Sequence, residues 1–181
     1  MKFQLNINLN DNDYLEYNDF WLFRSHYGKK QIIGLRLFAV ALVAVIFLIS
    51  LFGGGFSLET LIGKIPMVIV LILFQITLKP IFILYLKTHF KNLKKKGKMG
   101  YSPSSCMEFY DDVFVEITPD NKTEQKYSSI ERISIVGNKT IYIHINNIAA
   151  YILPFRCFES KEQIDSFLEF IKSKCANIDV Y

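Results

Sequence analysis

The chain has 181 residues, of which 51% are hydrophobic, and a formal net charge of +4. Its three cysteines, Cys106, Cys157 and Cys175, are an odd set with no metal-ligand spacing and no Cys-x-x-Cys pair, which favours free thiols in a reducing compartment over a disulfide framework. Because the apolar residues concentrate in two runs, the remainder has room for one small soluble domain with a single core.

The first nine residues alternate between apolar and polar side chains, which predicts a half-buried strand from Phe3 to Leu9. Asp13, with Glu16 three residues later, predicts the capped start of a helix. An aromatic face on that helix favours a position in the headgroup layer of a membrane over a ligand-stacking role. The face consists of Tyr14, Tyr17 and Trp21, beside Phe20, Phe23 and Tyr27. We assign residues 1–34 to this strand and juxtamembrane helix.

Two long apolar runs follow, at 37–56 and 65–86. The first has no charged residue in twenty, and at about 1.5 Å per residue such a helix matches a hydrocarbon core of roughly 30 Å. Gly53, Gly54 and Gly55 favour a tight turn over a phosphate-binding loop, because no Lys-Ser or Lys-Thr follows them. The sequence therefore predicts a transmembrane helical hairpin over residues 35–88.

Basic residues flank the outer ends of both runs, whereas the loop from Ser57 to Lys64 carries only Glu59 and Lys64 as charged residues. By the positive-inside rule, this distribution places both termini in the cytoplasm and the loop outside. We expect a multi-pass membrane protein.

The second run is less uniform than the first, since it contains Gln75, Lys79 and Pro80. Pro66 suits a first helical turn, but Pro80 is expected to kink the helix. Gln75 and Lys79 share one helix face at i, i+4 spacing. One interpretation is an intramembrane polar seam for a partner helix or a small ligand. The other, which we favour, is a shallow span whose lysine extends toward the headgroups.

A lysine cluster follows the second run directly. Its position makes it a topology determinant and a contact for anionic lipid headgroups, which attract each nearby basic residue by about 1 kcal/mol. Nucleic acid is not expected as a partner, because the place of the cluster after a span already accounts for its charge. The lysine cluster consists of Lys87, Lys91, Lys94, Lys95, Lys96 and Lys98.

Residues 89–181 are predicted to form a cytoplasmic domain of short strands. Turn-forming pairs such as Gly137-Asn138 separate the strands and indicate an antiparallel meander. Ser160 and Gln163 form a capping box, and the helix that follows has an apolar stripe expected to cover the sheet. The predicted strands are 106–110, 113–118, 123–127, 130–136, 140–145 and 149–153, and the stripe is Ile164, Phe167, Leu168 and Ile171.

Two segments resemble the YcxB-like family. They are the Asp-Tyr-Leu-Glu-Tyr sequence at 13–17, ahead of Phe20, and the Tyr-Ile-Leu-Pro-Phe-Arg-Cys-Phe sequence at 151–158, ahead of the helix capped by Ser160. That family comprises bacterial two-span membrane proteins with a small C-terminal domain similar to the pleckstrin-homology (PH) fold, a strongly bent antiparallel sheet of about seven strands closed by one helix. The resemblance implies an α+β membrane protein of the bacterial inner membrane, in which the strand from Phe3 to Leu9 joins a PH-like sheet.

No catalytic constellation is apparent in the sequence. His26, His89 and His144 each lack a His or Cys at i+3 or i+4, and the adjacent Asp111 and Asp112 suit a turn better than acid–base chemistry. We therefore expect no enzyme activity, no cofactor and no metal.

Two functions are compatible with these observations. The first is a membrane-anchored, non-catalytic interaction module that presents its cytoplasmic PH-like domain to a protein partner, a second copy or an anionic lipid. The alternative is a bacteriocin or toxin immunity protein or a membrane-stress protein, for which the Gln75 and Lys79 seam would matter. The scattered basic residues of the domain are Arg132, Lys139 and Arg156, and the sequence leaves open whether they converge.

Overall fold

A computed structural model describes residues 1–54, 58–97, 99, 101–147 and 149–181. The chain forms two compact units. Residues 1–17 and 99–181 make up one, which we call the sheet unit, and residues 18–98 make up the other, the helical unit. The helical unit is thus inserted in the sequence between the first strand of the sheet unit and the rest of it.

The first sheet of the sheet unit is antiparallel and has four strands in the order β1-β2-β3-β4. Strand β1 spans Phe3–Asn8 and pairs with β2, Ser104–Phe109, over its whole length. The alternation of the sequence is realised here, because Leu5 and Ile7 are buried whereas Asn6 is exposed. Strands β3, Val113–Ile117, and β4, Lys122–Lys126, complete the sheet.

The second sheet has the order β7-β6-β5-β8. Strands β5, Arg132–Val136, β6, Thr140–His144, and β7, Ala150–Pro154, form an antiparallel meander. Gly137, with φ +52°, takes the left-handed conformation that the tight β5–β6 turn requires. Strand β8, Ile178–Val180, pairs in parallel with β5 and lies after the last element that the sequence predicts.

The six strands predicted after the apolar runs are present in that order, with small shifts at their ends. They do not form one continuous meander, because a 3-10 turn at Tyr127–Ser129 separates β4 from β5 and the strands divide into two sheets. Strand β8 escapes prediction because three residues are too few to establish a period of two.

Helix α5, Lys161–Lys174, closes the core of the sheet unit. The Ser160 hydroxyl accepts a hydrogen bond from the Gln163 amide at 3.2 Å, and this confirms the predicted cap. Phe167 and Ile171 are fully buried, and the Phe167 ring lies 4.8 Å from that of Phe109. Full burial of such a side chain contributes about 1.5–3 kcal/mol. The helix therefore holds the core through the predicted stripe.

Helix α1, Asp11–Asp19, begins one turn earlier than predicted. Asn10, rather than Asp13, is its N-cap, since the Asn10 side-chain oxygen accepts from the Asp13 amide at 3.1 Å. The Asp13 carboxylate reciprocates by accepting from the Asn10 amide at 2.7 Å. The predicted cap at Asp13 is thus wrong. Asp13 is instead the acidic residue of a capping box, whose carboxylate bonds back to the amide of the cap residue, Asn10.

The predicted aromatic face of this helix does not form one continuous surface. The Tyr17 ring is buried and lies 5.1 Å from that of Tyr142 on β6, and Tyr14 stacks on Tyr101 at 5.4 Å. Placing Tyr17 in a headgroup layer is therefore wrong. Its ring packs against Tyr142 and His144 of β6, a contact that a pattern confined to the helix does not reveal.

The helical unit begins with a π-helical turn, Phe20–Arg24, followed by α2, His26–Gly54, α3, Leu58–Ile62, and α4, Ile65–Lys95. Gly28 fits closely at the start of α2, since a Cβ there would lie 2.1 Å from the Trp21 carbonyl oxygen. Helices α2 and α4 are long and apolar enough to cross a membrane, by length and composition. Their large apolar side chains are exposed, for example Leu37 at 64% and Ile76 at 68%.

Two predictions for the hairpin need correction. Gly53 and Gly54 belong to the last turn of α2 rather than to a reversal, and most of the predicted loop is helix α3, which has Glu59 in its favourable first turn. Gly55 and Ser57 lie outside the described residues. Helix α4 has Pro66 in its first turn, as predicted, and continues past Pro80 to Lys95.

Candidate functional sites

The lysine cluster lies on the last turns of α4. Lys87, Lys91, Lys94 and Lys95 are exposed and, at about 3.6 residues per turn, fall within roughly 100° of the helix circumference. Lys96 follows the helix on a different side, and Lys98 lies outside the described residues. Cations in this position also complement the partial negative charge of the helix C-terminus. Four of the predicted lipid-contact residues therefore share one face.

The predicted polar seam of α4 has contacts within the helical unit. The Gln75 side-chain amide donates to the Arg36 carbonyl of α2 at 3.5 Å, and the Arg36 guanidinium donates to the Gln75 carbonyl at 3.4 Å. The Lys79 ammonium lies 2.9 Å from the Asp19 carboxylate and 5.2 Å from the centre of the Phe23 ring. Both seam residues thus contact the segments that precede α4 in the sequence.

An apolar cavity of about 540 Å³ lies beside this seam, between α2, α4 and the π-helical turn. Its polar lining residues are Gln31 and Thr77, and Thr77 donates its hydroxyl proton to the Leu73 carbonyl at 2.7 Å. The apolar part of the lining consists of Leu22, Phe23, Ile32, Leu35, Phe74, Leu78, Ile81, Phe82 and Tyr85. Such a surface is suited to an acyl chain or another apolar group.

A buried polar group occupies one face of the second sheet. Arg132 and His144 are direct partners across β5 and β6, and Ser134 lies beside them. His144 and Ser134 are fully buried, with the Ser134 hydroxyl 3.1 Å from Nε2 of His144. The Tyr17 ring centre is 6.2 Å from that of His144. His144 is thus a packed residue at the end of β6.

Several polar atoms in this group have no hydrogen-bond partner among the described residues. They are Nε and Nη2 of Arg132, together with Nδ1 of His144, and all three atoms are closed off from solvent. Arg132 as a whole is only partly buried, so the remaining part of its guanidinium stays open to solvent.

The charge of Arg132 and the burial of the group shift the titration of its neighbours. Burial and, to a smaller extent, the nearby Arg132 cation together lower the pKa of His144 to about 4. Burial likewise raises the pKa of Tyr17 to about 12, against an opposing effect of Arg132. His144 is therefore neutral at physiological pH, and the guanidinium carries the positive charge of the group.

A polar cavity of about 410 Å³ opens beside Arg132, between the start of β5 and the start of β8. The Asn177 side chain ties the two strands together by donating to the Glu131 carbonyl at 3.2 Å, and the Ile133 amide donates to the Asn177 carbonyl at 2.9 Å. The lining consists of Glu131, Arg132, Ala176, Asn177, Ile178 and Asp179. Three charged residues therefore lie at the edge of this open cavity.

The other two basic residues of the sheet unit have different surroundings. Lys139 lies at the β5–β6 turn, at the opposite end of the hairpin from Arg132. Arg156 forms a two-pronged ion pair with Asp13, donating to one carboxylate oxygen at 2.7 Å and also contacting the other, and it donates to the Asn8 carbonyl at 2.9 Å. Arg156 thus fastens the N-terminal segment to the rest of the sheet unit. Arg132 and Lys139 do not form one basic patch, because they lie at opposite ends of the hairpin.

Metal and thiol chemistry has little support in the described part of the chain. No group of three or more His, Cys, Asp or Glu side chains there could hold a metal ion. Cys106, Cys157 and Cys175 are free and partly buried, which confirms the predicted thiols.

Comparison with family models matched residues 109–171 to the family described as YcxB-like protein. We call the matched segment, residues 109–171, the YcxB-like domain after the family model that it resembles. The match confirms the resemblance for about a third of the chain, and comparisons with curated proteins and with solved structures gave no match. The YcxB-like domain runs from the end of β2 to Ile171 in α5 and includes the hairpin that carries Arg132 and His144.

Sequence reasoning missed two features around these sites. The partners of the α4 seam, Asp19 and Arg36, were not recognised, although Asp19 is the last acid before the first apolar run. The Arg132 group was also missed, although the alternation of the YcxB-like hairpin puts Arg132, Ser134 and His144 on one face. The sequence does not reveal that this face is buried, because polar residues on one face of a strand normally indicate a solvent-exposed face.

Proposed function

We propose that the protein is a membrane-anchored, non-catalytic module that presents its YcxB-like domain to anionic lipid at the cytoplasmic face of the bacterial inner membrane. The observation that carries the proposal is the exposure of the apolar side chains on α2 and α4. Phe38 and Leu84, for instance, are each 66% exposed. Contiguous apolar surface of this extent is unfavourable in water at about 25 cal/mol per Å² and is favourable in hydrocarbon.

The pairing of the strands supports placing both ends on one side. Strand β1 precedes the helical unit and β2 follows it, yet the two pair from Phe3 with Phe109 to Asn8 with Ser104. Since a sheet does not form across a bilayer, the chain between these strands crosses the membrane an even number of times, and two crossings fit α2 and α4. The lysine cluster then favours the cytoplasm for the sheet unit.

We also propose a PH-like architecture for the sheet unit. Four antiparallel strands followed by a three-stranded meander and a closing helix agree with the seven-stranded pattern that the family resemblance implies. In this arrangement β1, which precedes the helical unit in the sequence, supplies the first strand, and β2 to β7, which follow that unit, supply the other six. Strand β8 is an addition to the pattern.

The lysine cluster is the proposed contact for anionic headgroups. Four lysines on one face, each worth about 1 kcal/mol, would enrich acidic lipid around α4. The lipids that copurify with the chain, counted by native mass spectrometry, test this directly. The variant with Lys87, Lys91, Lys94 and Lys95 replaced by Gln is expected to lose acidic lipid, whereas the matched Arg variant retains it. Equal lipid content in both variants would contradict the proposal.

The immunity or stress role stays a prediction. The polar seam that this role would use already has contacts within the helical unit. A toxin or partner helix would first have to displace the contacts of Gln75 with Arg36 and of Lys79 with Asp19.

A further inference from the structure

The apolar cavity of the helical unit has walls that contact one another. The Phe23 ring of the π-helical turn lies 5.6 Å from the Phe82 ring of α4, and the Lys79 ammonium lies 5.2 Å from the centre of the same Phe23 ring. The hydrogen bonds between Gln75 and Arg36 connect α4 to α2. Ligand sites are usually preformed in this way.

The residues that line this cavity favour a flexible apolar ligand over a partner helix. Among the described residues of the lining, none is glycine, alanine or serine. Transmembrane helices associate closely through such small residues, because they let two backbones approach. The Thr77 hydroxyl is already bonded to the Leu73 carbonyl, so it does not offer its proton to a partner. The lining is therefore suited to a hydrocarbon chain.

The dimensions of the cavity match one acyl chain of one leaflet. Its lining on α4 extends from Phe74 to Tyr85, a length of about 16 Å at 1.5 Å per residue. Half of a hydrocarbon core of roughly 30 Å is about 15 Å. At about 30 Å³ for a group the size of a water molecule, such as a methylene, the volume of about 540 Å³ corresponds to roughly 18 carbons.

We propose that this cavity is a binding site for one acyl chain of a phospholipid in the cytoplasmic leaflet. The chain lies along α4 from Tyr85 toward Phe74, and the headgroup stays at the level of Gln31 and Tyr85. The exposed His89 ring stacks on Tyr85 at 5.7 Å, so polar groups lie at this end of the cavity. Because it places the helical unit in a bilayer, the inference rests on the proposed function.

The cavity and the lysine cluster lie on different sides of α4. At about 3.6 residues per turn, the lining residues of α4 and the four exposed lysines are centred roughly a third of a turn apart. Binding in the cavity therefore depends on the hydrocarbon chain and not on the charge of the headgroup. Phosphatidylglycerol and phosphatidylethanolamine are expected to occupy it equally.

The test counts the lipids that stay on the full chain. The chain is purified in dodecyl maltoside and washed at high salt, which weakens lipid contacts made by charge alone. Lipid is then added back as phosphatidylglycerol or phosphatidylethanolamine, and native mass spectrometry gives the number of bound molecules. The parent chain is expected to retain one phospholipid, with equal occupancy for the two headgroups.

Two matched variants assign the bound lipid to the cavity. Ile81 lines the cavity and is 61% exposed, so Ile81→Trp fills the space and is expected to lower the lipid-bound fraction at least tenfold. Ile76 is 68% exposed on the same helix and is not among the lining residues, so Ile76→Trp is expected to retain the lipid. The variant with the four exposed lysines replaced by Gln also retains it, which separates this test from that of the lysine cluster.

A second measurement uses the parent chain and decides the matter if Ile81→Trp fails to fold. Phosphatidylglycerol with a diazirine in the middle of one acyl chain is photolysed in nanodiscs that contain the chain. Leu78 lines the cavity and is only partly exposed, whereas Ile76 is more exposed at nearly the same depth. Stronger labelling of Leu78 than of Ile76 is expected, because an ordered chain stays in the cavity.

Several results would overturn the inference. They are a parent chain that retains no lipid, equal retention by the parent and Ile81→Trp, equal loss in both Trp variants, or labelling of Ile76 at least as strong as that of Leu78. A parent dimer that Ile81→Trp converts to a monomer, with no change in bound lipid, would assign the cavity to a second copy and overturn it as well.

Discussion

Replacing Leu5 by alanine is expected to destabilise a domain whose other strands all lie about a hundred residues or more away in the sequence. Leu5 is 1% exposed and packs in the same core as Met107, Phe109 and Phe167. Truncation of a buried leucine costs about 2–5 kcal/mol, out of about 5–15 kcal/mol for a typical domain. For a unit of this size the loss lowers Tm by at least about 8 °C.

The assay is thermal unfolding of the detergent-solubilised chain, followed by hydrogen exchange of the β5–β6 amides. The matched control is Asn6→Ala, which alters the exposed face of the same strand and is expected to change stability by less than about 0.5 kcal/mol. Faster exchange at Ile141 and Ile143 in Leu5→Ala alone would show that β1 stabilises the second sheet as well. If both variants unfold at the same temperature as the parent chain, β1 is not part of the core.

Three further outcomes follow from the ionisable groups. Because the pKa of His144 is lowered from 6.5 to about 4, the unfolded chain binds more protons than the folded chain between these pH values, and stability is lost as the pH falls. Relative to the His144→Gln variant, the parent chain should lose about 2 kcal/mol of unfolding free energy between pH 7.5 and pH 5, measured by calorimetry. A stability difference between the two chains that does not change with pH would refute the lowered pKa. A double-mutant cycle with Asp13→Asn and Arg156→Gln should give a coupling free energy of about 1 kcal/mol. The value is modest because the Arg156 side chain is 47% exposed. Additive losses of stability would argue against the Asp13 and Arg156 ion pair. In the helical unit, Asp19→Asn should lower the yield of folded protein in membranes more than the double variant Asp19→Asn, Lys79→Gln does, and the reverse order would contradict the Asp19 and Lys79 contact.

Much of the fold is predictable because its signals are local. Alternation identifies β1, turn residues separate β2 to β7, and Ser160 marks the start of α5. The N-cap of α1 was misassigned by three residues because Asn10 and Asp13 are both good capping residues, and the choice between them depends on which one closes the reciprocal hydrogen bonds.

The sites were less predictable, because they depend on which surfaces become covered. The hairpin of β5 and β6 shows a regular alternation, which ordinarily indicates one exposed face. Tyr17 packs against that face, so Ser134 and His144 are buried rather than exposed. The partners of Lys79 and Gln75 were missed for the same reason, since their identity depends on how helices distant in the sequence pack together.

The central claim, a membrane hairpin that returns both ends of the chain to the cytoplasm, is tested most directly by paired topology reporters. Alkaline phosphatase and green fluorescent protein are fused in separate constructions ahead of Met1 and after Tyr181 in bacterial cells. We predict fluorescence and no phosphatase activity from both ends, because β1 pairs with β2 and the proposed hairpin returns both strands to the cytoplasm. Phosphatase activity at either end, or recovery of the protein in the soluble fraction without detergent, would contradict the account.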